Sequence, residues 1–217
     1  HELKSPLTAI QASAELLKED LPLEDQQQFA THIHEQSHRL KTLIDRMLLL
    51  TRLEKSQHQV EPQYFNLSEL IQQVLDQHAS QIQQQQIQCL LDIEPNCMIS
   101  ADRFWIQQTL ANVLDNALDF TPSTDKIFFK LIHLDNKKIQ ISLFNEGASI
   151  PNYALPQIFD TYFSLPRPSN QQRSSGIGLS IVKQVIEQHH GQIKIENIQA
   201  NHITKLIPHT SGVLVSI

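Results

Sequence analysis

Apolar residues recur at helical spacing along the N-terminal quarter of the chain. They form two sets separated by Pro22: Leu3, Leu7, Ile10, Ala14, Leu17 and Leu21, and then Phe29, Ile33, Leu40, Leu43, Met47, Leu50 and Leu53. The spacing predicts two helices that form a hairpin. Because one face of each helix lacks a partner, we expect two chains to pair into a dimeric four-helix bundle. A hairpin packed on the second domain of its own chain is the alternative.

The pattern changes after a polar stretch that contains Pro62, so we predict a multidomain chain. The hairpin would occupy residues 1–57, a linker residues 58–65, and a second domain residues 66–217. The second domain is predicted to contain helices over Leu67–Gln84, Arg103–Asp119 and Ile177–His189, and strands over Ile87–Ile93, Lys126–His133, Lys138–Phe144, Gln192–Glu196 and Gly212–Ile217. Helices and strands that mix without strict alternation favour an α+β two-layer sandwich.

Composition and charge narrow the possible partners. The 217 residues are 40% hydrophobic and 18% charged, which is typical of globular domains. The net charge of −6 argues against a nucleic-acid partner, because phosphate binding favours a basic surface. No run approaches the roughly 18 consecutive apolar residues of a membrane span, so we expect no membrane contact by this fragment. Cys89 and Cys97 lack metal-ligand spacing and are predicted to be free thiols.

Two motifs carry side chains suited to phosphate and metal chemistry. The chain begins HELKSPL, and a core histidine would need neither Glu2 beside it nor Pro6 shortly after it. A phosphate-accepting His1 would explain both neighbours. Further along, Asn112 and Asn116 are four residues apart and therefore share one face of a helix. Their amide oxygens suit Mg²⁺, although an ordinary polar helix face would have the same pattern.

Three glycine- or aromatic-containing segments complete the candidate chemistry. Asn145 ends a predicted strand and is followed by Gly147, which indicates a tight turn beside a ligand or another segment. A polar loop begins at Phe159 and Phe163 and is either a mobile lid or a plain surface loop. Gly176-Ile-Gly178 precedes an amphipathic helix whose N-terminus could cradle phosphates. No GxxxxGK[ST] motif is present, so a Walker-type site is excluded.

The order of these motifs resembles the sensor histidine kinases of two-component systems along essentially the whole chain. "HELKSPL", "NALDFTP" and "PNYALPQIFDTYFSLPRP" are most similar to the carbon-source-responsive CreC-type sensor kinases. The resemblance implies a dimerisation and phosphoacceptor hairpin followed by an ATP-binding domain of the gyrase-like (Bergerat) fold. It also implies a cytoplasmic fragment whose parent protein is anchored in the bacterial inner membrane.

The resemblance implies an ATP-dependent protein-histidine kinase that uses Mg²⁺. His1 would attack the γ-phosphate of ATP and Glu2 would draw off its proton, while Pro6 matches a helix kink. The phosphoryl group would then pass to an aspartate in the receiver domain of a response regulator, and the hairpin would form the homodimer.

The same resemblance assigns roles in the second domain. Asn116 matches the Mg²⁺ ligand. Asn112 stands where gyrase-like ATPases carry a glutamate base, and because an amide cannot take up a proton, a gyrase-like hydrolase is disfavoured. The remaining matches are Phe120 beside the adenine, Gly147 in the strand-end turn, Phe159 and Phe163 in the lid, and Gly176, Gly178 and Leu179 near the phosphates.

Several positions depart from the family pattern. Asn145 replaces the aspartate that accepts from the adenine amino group, and Ser149 replaces a glycine of the same motif. Asp119 stands where many relatives place a basic residue near the phosphates, and Thr161 replaces a common arginine of the lid. Ser5 replaces the threonine or asparagine implicated in dephosphorylating the regulator. A degenerate kinase with weak or no ATP binding, acting as a dimeric scaffold or regulator phosphatase, is therefore the alternative.

Overall fold

The computed structural model describes residues 3–55, 61–134, 138–168, 174–198 and 211–217. The chain divides into two compact units, His1–Lys55 and Ser56–Ile217. Within the described ranges, no helix combines the length and the apolar character that a bilayer span requires.

The first unit is a helical hairpin of α1 (Lys4–Leu16) and α2 (Leu23–Lys55). Pro6 lies in the first turn of α1, where a missing backbone N–H costs no intrahelical hydrogen bond. In α2 the first turn is acidic and the last turn is basic, which complements the helix dipole. The hairpin is joined internally by Ser13, whose buried Oγ lies 2.9 Å from His32 Nδ1.

The second unit contains a small antiparallel sheet beside a larger one. The small sheet pairs β1 (Gln63–Asn66) with β3 (Met98–Ala101). The large sheet has the order β2-β4-β5-β7-β6, and its strands are β2 (Gln88–Ile93), β4 (Lys126–Leu134), β5 (Lys138–Glu146), β6 (Lys194–Ile198) and β7 (Gly212–Ser216). Among the described strands of this sheet, only β2 and β4 pair in parallel; the other neighbours are antiparallel.

In the described part of this unit, four helices form the second layer. They are α3 (Leu67–Gln77), α4 (Ala79–Gln84), α5 (Arg103–Phe120) and α6 (Gly178–Gln188), with a 3₁₀ turn at Leu155–Gln157. The central helix α5 packs against α3, α6 and β5. Alternate residues of β4 are buried, as period-2 side-chain direction requires: Ile127, Phe129 and Leu131. The unit is therefore a two-layer α+β sandwich, as predicted.

Some predicted boundaries are wrong. The single helix expected over Leu67–Gln84 breaks at His78, whose backbone leaves the helical region (φ −97°, ψ 3°). The sequence pattern missed β1 and β3 because each has only four residues and one fully buried position. The strand β1 begins within the stretch 58–65 that we assigned to a linker. The strand β5 continues to Glu146, two residues past the predicted end, and this places Asn145 inside the ladder.

Candidate functional site

A cavity of about 320 Å³ lies between α5, the end of β5, the start of α6 and the loop segment 163–168. Seven residues predicted from sequence line it: Asn116, Phe120, Asn145, Phe163, Gly176, Gly178 and Leu179. Its size is that of a small-molecule site. The rest of the lining is mostly apolar, and none of the described residues that line it is acidic or basic.

Asn145 forms the polar point on the sheet side of the cavity. It pairs with Ile127 of β4 and Val213 of β7, so a central strand fixes its backbone on both sides. The residue is only 5% exposed. The amide Nδ2 donates to the backbone oxygen of Glu146 at 3.3 Å, which leaves the carbonyl oxygen as the acceptor for a ligand.

Asn112, Asn116 and Phe120 follow one another at four-residue intervals on one face of α5, but they do not all reach the cavity. Asn116 and Phe120 line it, whereas Asn112 does not. The Asn112 Oδ1 lies 3.2 Å from the position that a Cβ on Gly178 would take, so Asn112 lies against the start of α6. Asn116 Nδ2 is buried and has no hydrogen-bond partner among the described residues.

The two glycines before and at the start of α6 allow close backbone approach. Gly176 has φ +65°, and a Cβ there would lie 2.5 Å from the carbonyl carbon of Tyr162. Tyr162 N–H donates to the Gly176 oxygen at 2.9 Å. The loop that begins at Phe159 is therefore joined directly to the segment that leads into α6. The first N–H groups of α6 have no partner inside the helix and lie at the cavity wall.

Two other predicted residues lie outside the cavity and support its wall. Gly147 has φ +140°, and a Cβ there would lie 2.7 Å from the Phe120 oxygen, so only glycine lets this turn pack on the end of α5. Phe159 lies beneath Lys183, whose Nζ is 5.8 Å from the ring centroid. Neither residue lines the cavity.

The turn after β5 is held by a reciprocal pair that the sequence did not reveal. Ile150 N–H donates to Asn197 Oδ1, and Asn197 Nδ2 donates to the Ile150 oxygen, both at 2.8 Å. Ser149 and Ile150 line the cavity beside Tyr153. Serine in place of glycine at residue 149 is thus accommodated in a turn anchored to β6.

The negative charge of Asp119, which stands where many relatives place a basic residue, is paired with a cation in the structure. Its Oδ2 lies 2.6 Å from Arg167 Nη2, and both side chains are largely buried. Arg167 lies between Pro166 and Pro168, both of which line the cavity. Asp119 and Arg167 are far apart in sequence, so no local sequence pattern predicts that they pair.

His78 contacts Asp115 of α5 and has a raised pKa. His78 Nδ1 lies 2.7 Å from the Val74 carbonyl oxygen, and its Nε2 lies 3.2 Å from Asp115 Oδ1. Both partners can only accept, so the protonated ring satisfies both. The hydrogen bond to Asp115 raises the pKa of His78 above its ordinary 6.5, although burial opposes the shift.

The two predicted phosphoacceptor residues, His1 and Glu2, lie outside the described residues.

Both cysteines are free, and burial raises the pKa of each thiol.

Comparison with known proteins assigns the chain to a family. Residues 101–211 match the family described as histidine kinase-, DNA gyrase B-, and HSP90-like ATPase, and residues 1–56 match the His kinase A (phospho-acceptor) domain. The chain therefore belongs to the histidine kinase-, DNA gyrase B- and HSP90-like ATPase family, with a phosphoacceptor domain preceding the ATPase domain. The resemblance to sensor histidine kinases is confirmed.

Individual relatives agree with this assignment. The chain is 35% identical to the sensor protein CreC of Escherichia coli over 92% of its own length and 41% of that protein. It is 31% identical to the adaptive-response sensory kinase SasA of a Synechocystis species, over 91% of its own length and 53% of that protein. The chain thus spans about half the length of the curated relatives it matches.

A solved structure also matches both units. The histidine kinase ThkA, crystallised with the response regulator protein TrrA, is 26% identical with a TM-score of 0.75, over 100% of this chain and 58% of that one. The predicted fold class, a helical hairpin followed by a gyrase-like two-layer sandwich, is confirmed.

Proposed function

We propose that this chain is the core of a sensor histidine kinase that transfers the γ-phosphoryl group of ATP to His1 and then to an aspartate of a response regulator. The observation that carries the proposal is the gathering of Asn116, Asn145, Gly176 and Gly178, which are far apart in sequence, around one cavity. Each supplies a group that a different part of ATP requires.

The described residues fit the nucleotide. Asn145 would accept from the adenine amino group, Phe120 and Phe163 would pack against the base, and the start of α6 would face the phosphates. The side-chain nitrogen of Asn116 donates no hydrogen bond to any other described residue. Its oxygen would hold Mg²⁺, which when bound neutralises phosphate charge.

The chemistry at the acceptor follows from the residue types. The neutral His1 imidazole nitrogen would form a bond to the γ-phosphorus as the bond from phosphorus to the bridging oxygen breaks and ADP leaves. Glu2 would take the imidazole proton. Asn112 cannot act as a base toward water, which preserves the phosphoryl group for histidine rather than for hydrolysis.

The hairpin supports the proposed dimer. It carries exposed apolar side chains, notably Leu7 (46%), Leu16 (43%), Ile44 (44%) and Leu48 (54%). Two copies that pair through these residues would bury them in a four-helix bundle. By analogy with ThkA, whose structure includes TrrA, a receiver domain would dock on the hairpin. We also propose, from the sensor relatives, that a parent protein is anchored in the inner membrane.

The direct test is autophosphorylation with ATP labelled at the γ-phosphate and Mg²⁺. We expect label on the unaltered chain that is stable to base and labile to acid, as phosphohistidine is, and none on His1→Gln or Asn116→Ala. The His34→Gln variant is the matched control, because His34 lies on α2, and it should label normally. Equal labelling of His1→Gln and the unaltered chain would refute the assignment of the acceptor.

The scaffold alternative rests on departures at the nucleotide. One of these, the negative charge of Asp119, is compensated by Arg167. A chain that binds no ATP in calorimetry, yet dimerises, would favour the scaffold over the kinase.

A further inference from the structure

The cavity presents a charge problem for a triphosphate. None of the described side chains that line it is a cation, yet ATP carries several negative charges that one Mg²⁺ does not fully neutralise. A basic residue beside the cavity is therefore expected. Arg167 does not itself line the cavity, but the residues on either side of it, Pro166 and Pro168, both line the wall, so it is a cation adjacent to the lining.

Asp119 fixes the direction of this arginine. The carboxylate lies in the last turn of α5, three residues after Asn116, and Arg167 Nη2 is 2.6 Å from its Oδ2. Their side chains are 27% exposed for Arg167 and 18% for Asp119. A carboxylate near a helix C-terminus is unfavourable by itself, so the guanidinium offsets both the side chain and the helix dipole. The flanking prolines restrict the backbone that carries the arginine.

The guanidinium retains a donor that no described residue uses. Arg167 Nε is buried and has no hydrogen-bond partner among the residues that the structure describes. Guanidinium has five N–H donors, and Asp119 accepts from the Nη2 side. A desolvated, unpaired donor is costly, so its presence in a loop segment that borders the cavity points to an acceptor supplied by a ligand.

We propose that Arg167 is a phosphate ligand of this kinase, with Asp119 as its positioning residue. Arg167 supplies the positive charge that many relatives place at position 119, where this chain has an aspartate. Its Nε donates to a phosphate oxygen of ATP. The proposal rests on the ATP binding proposed above and assigns a further binding residue to that same site. An ion pair that only anchors the loop is the competing explanation.

The test compares ligands that differ in phosphate content. Calorimetry would measure ATP and ADP with Mg²⁺, and NMR titration would measure adenosine, for the unaltered chain and for Arg167→Gln. We expect about tenfold weaker ATP binding in Arg167→Gln and unchanged adenosine binding, as for the loss of one charge-assisted hydrogen bond. Arg103→Gln is the control, because Arg103 pairs with Gln73 at the opposite end of α5, and its ATP affinity should be unchanged.

A second pair of variants separates a ligand from an anchor. Asp119→Asn removes the same ion pair but leaves the guanidinium, so we expect it to bind ATP at least threefold more tightly than Arg167→Gln. Equal losses in the two variants, or an equal loss for adenosine and ATP, would overturn the inference in favour of a loop anchor. Absence of ATP binding by the unaltered chain would instead remove the proposed function, and the inference with it. Melting curves would verify that each variant is folded.

Discussion

At the residue scale, the proposed contact of Asn145 with the nucleotide predicts a balance between ATP affinity and the stability of the ligand-free protein. Asn145 is 5% exposed, and the next residue, Glu146, is 7% exposed with its Oε2 bound to the Lys126 N–H at 2.9 Å. A second carboxylate would be desolvated beside the first. We therefore expect Asn145→Asp to bind ATP about fivefold more tightly, since charge-assisted hydrogen bonds are about twice as strong as neutral ones. Its melting temperature should fall by a few degrees.

Calorimetry and thermal melts would measure the two effects on the same samples. Asn145→Ala is the control and should lose ATP affinity, because it removes the acceptor without adding charge. An Asn145→Asp variant whose affinity equals that of the unaltered chain would contradict the proposed role of Asn145 as the acceptor for adenine.

The pair His78–Asp115 predicts a pH dependence of stability. The pKa of His78 is raised in the folded protein, chiefly by its hydrogen bond to Asp115. The stabilisation is therefore fully present below the ordinary value of 6.5 and is lost as pH rises through the raised folded value. Because Asp115 is 38% exposed, we expect a contribution of about 1 kcal/mol or less.

Urea denaturation at a series of pH values from about 5.5 to about 8.5, a range that spans the ordinary histidine pKa of about 6.5, would measure this dependence. The unaltered chain and Asp115→Asn would be compared. We expect a shallower decline of the free energy of unfolding in the variant. Parallel pH profiles would show that the hydrogen bond does not shift the titration of His78.

At the scale of elements, Gly176 couples the loop after Phe159 to α6. Its φ of +65° and the 2.5 Å approach to the Tyr162 backbone leave no room for a Cβ. We expect Gly176→Ala to reduce the free energy of unfolding by about 2 kcal/mol, from the strained φ and the backbone displacement together. ATP affinity should fall as well, because the loop and the N-terminus of α6 move apart.

Gly178→Ala provides the comparison. A Cβ there would meet the side-chain Oδ1 of Asn112 at 3.2 Å, and a side chain can shift by a few tenths of an ångström. Its stability should stay within about 0.5 kcal/mol of the unaltered chain, as for a tolerated substitution. Equal destabilisation by both substitutions, measured by urea denaturation, would contradict the requirement for glycine at residue 176.

The elements divide into those with a local signal and those without one. The nine-residue β4, with its alternating buried positions, and the 18-residue α5 are long enough for periodicity to identify them. The short strand β1 depends on a partner more than thirty positions away, Met98–Ala101, and the break at His78 coincides with a contact to Asp115. Such features depend on tertiary pairing, which a local pattern does not contain.

The candidate site divides in the same way. Asn116, Asn145, Gly176 and Gly178 belong to motifs whose order could be recognised in the sequence, and they line one cavity. The Asp119–Arg167 ion pair and the Ile150–Asn197 hydrogen bonds join separate segments, and residue type alone did not indicate either pair. Sequence therefore predicted which groups line the cavity better than it predicted which groups hold them in place.

At the scale of the whole molecule, the exposed apolar side chains of the hairpin bear on the proposed dimer. Ile44 and Leu48 are four residues apart on α2, so they lie on one face of that helix. They are 44% and 54% exposed. Pairing of two hairpins through this face would bury both side chains.

We therefore expect the unaltered chain to sediment as a dimer and the double variant Ile44→Lys, Leu48→Lys to sediment as a monomer at micromolar concentration. Buried lysines would lack partners in the bundle, whereas the same residues are well solvated in a monomer. Analytical ultracentrifugation would measure the state. Leu91→Lys is the control, because Leu91 is 46% exposed but lies on β2, outside the hairpin, and this variant should remain a dimer. Dimerisation of the double variant, or monomers from Leu91→Lys, would place the interface elsewhere on the chain.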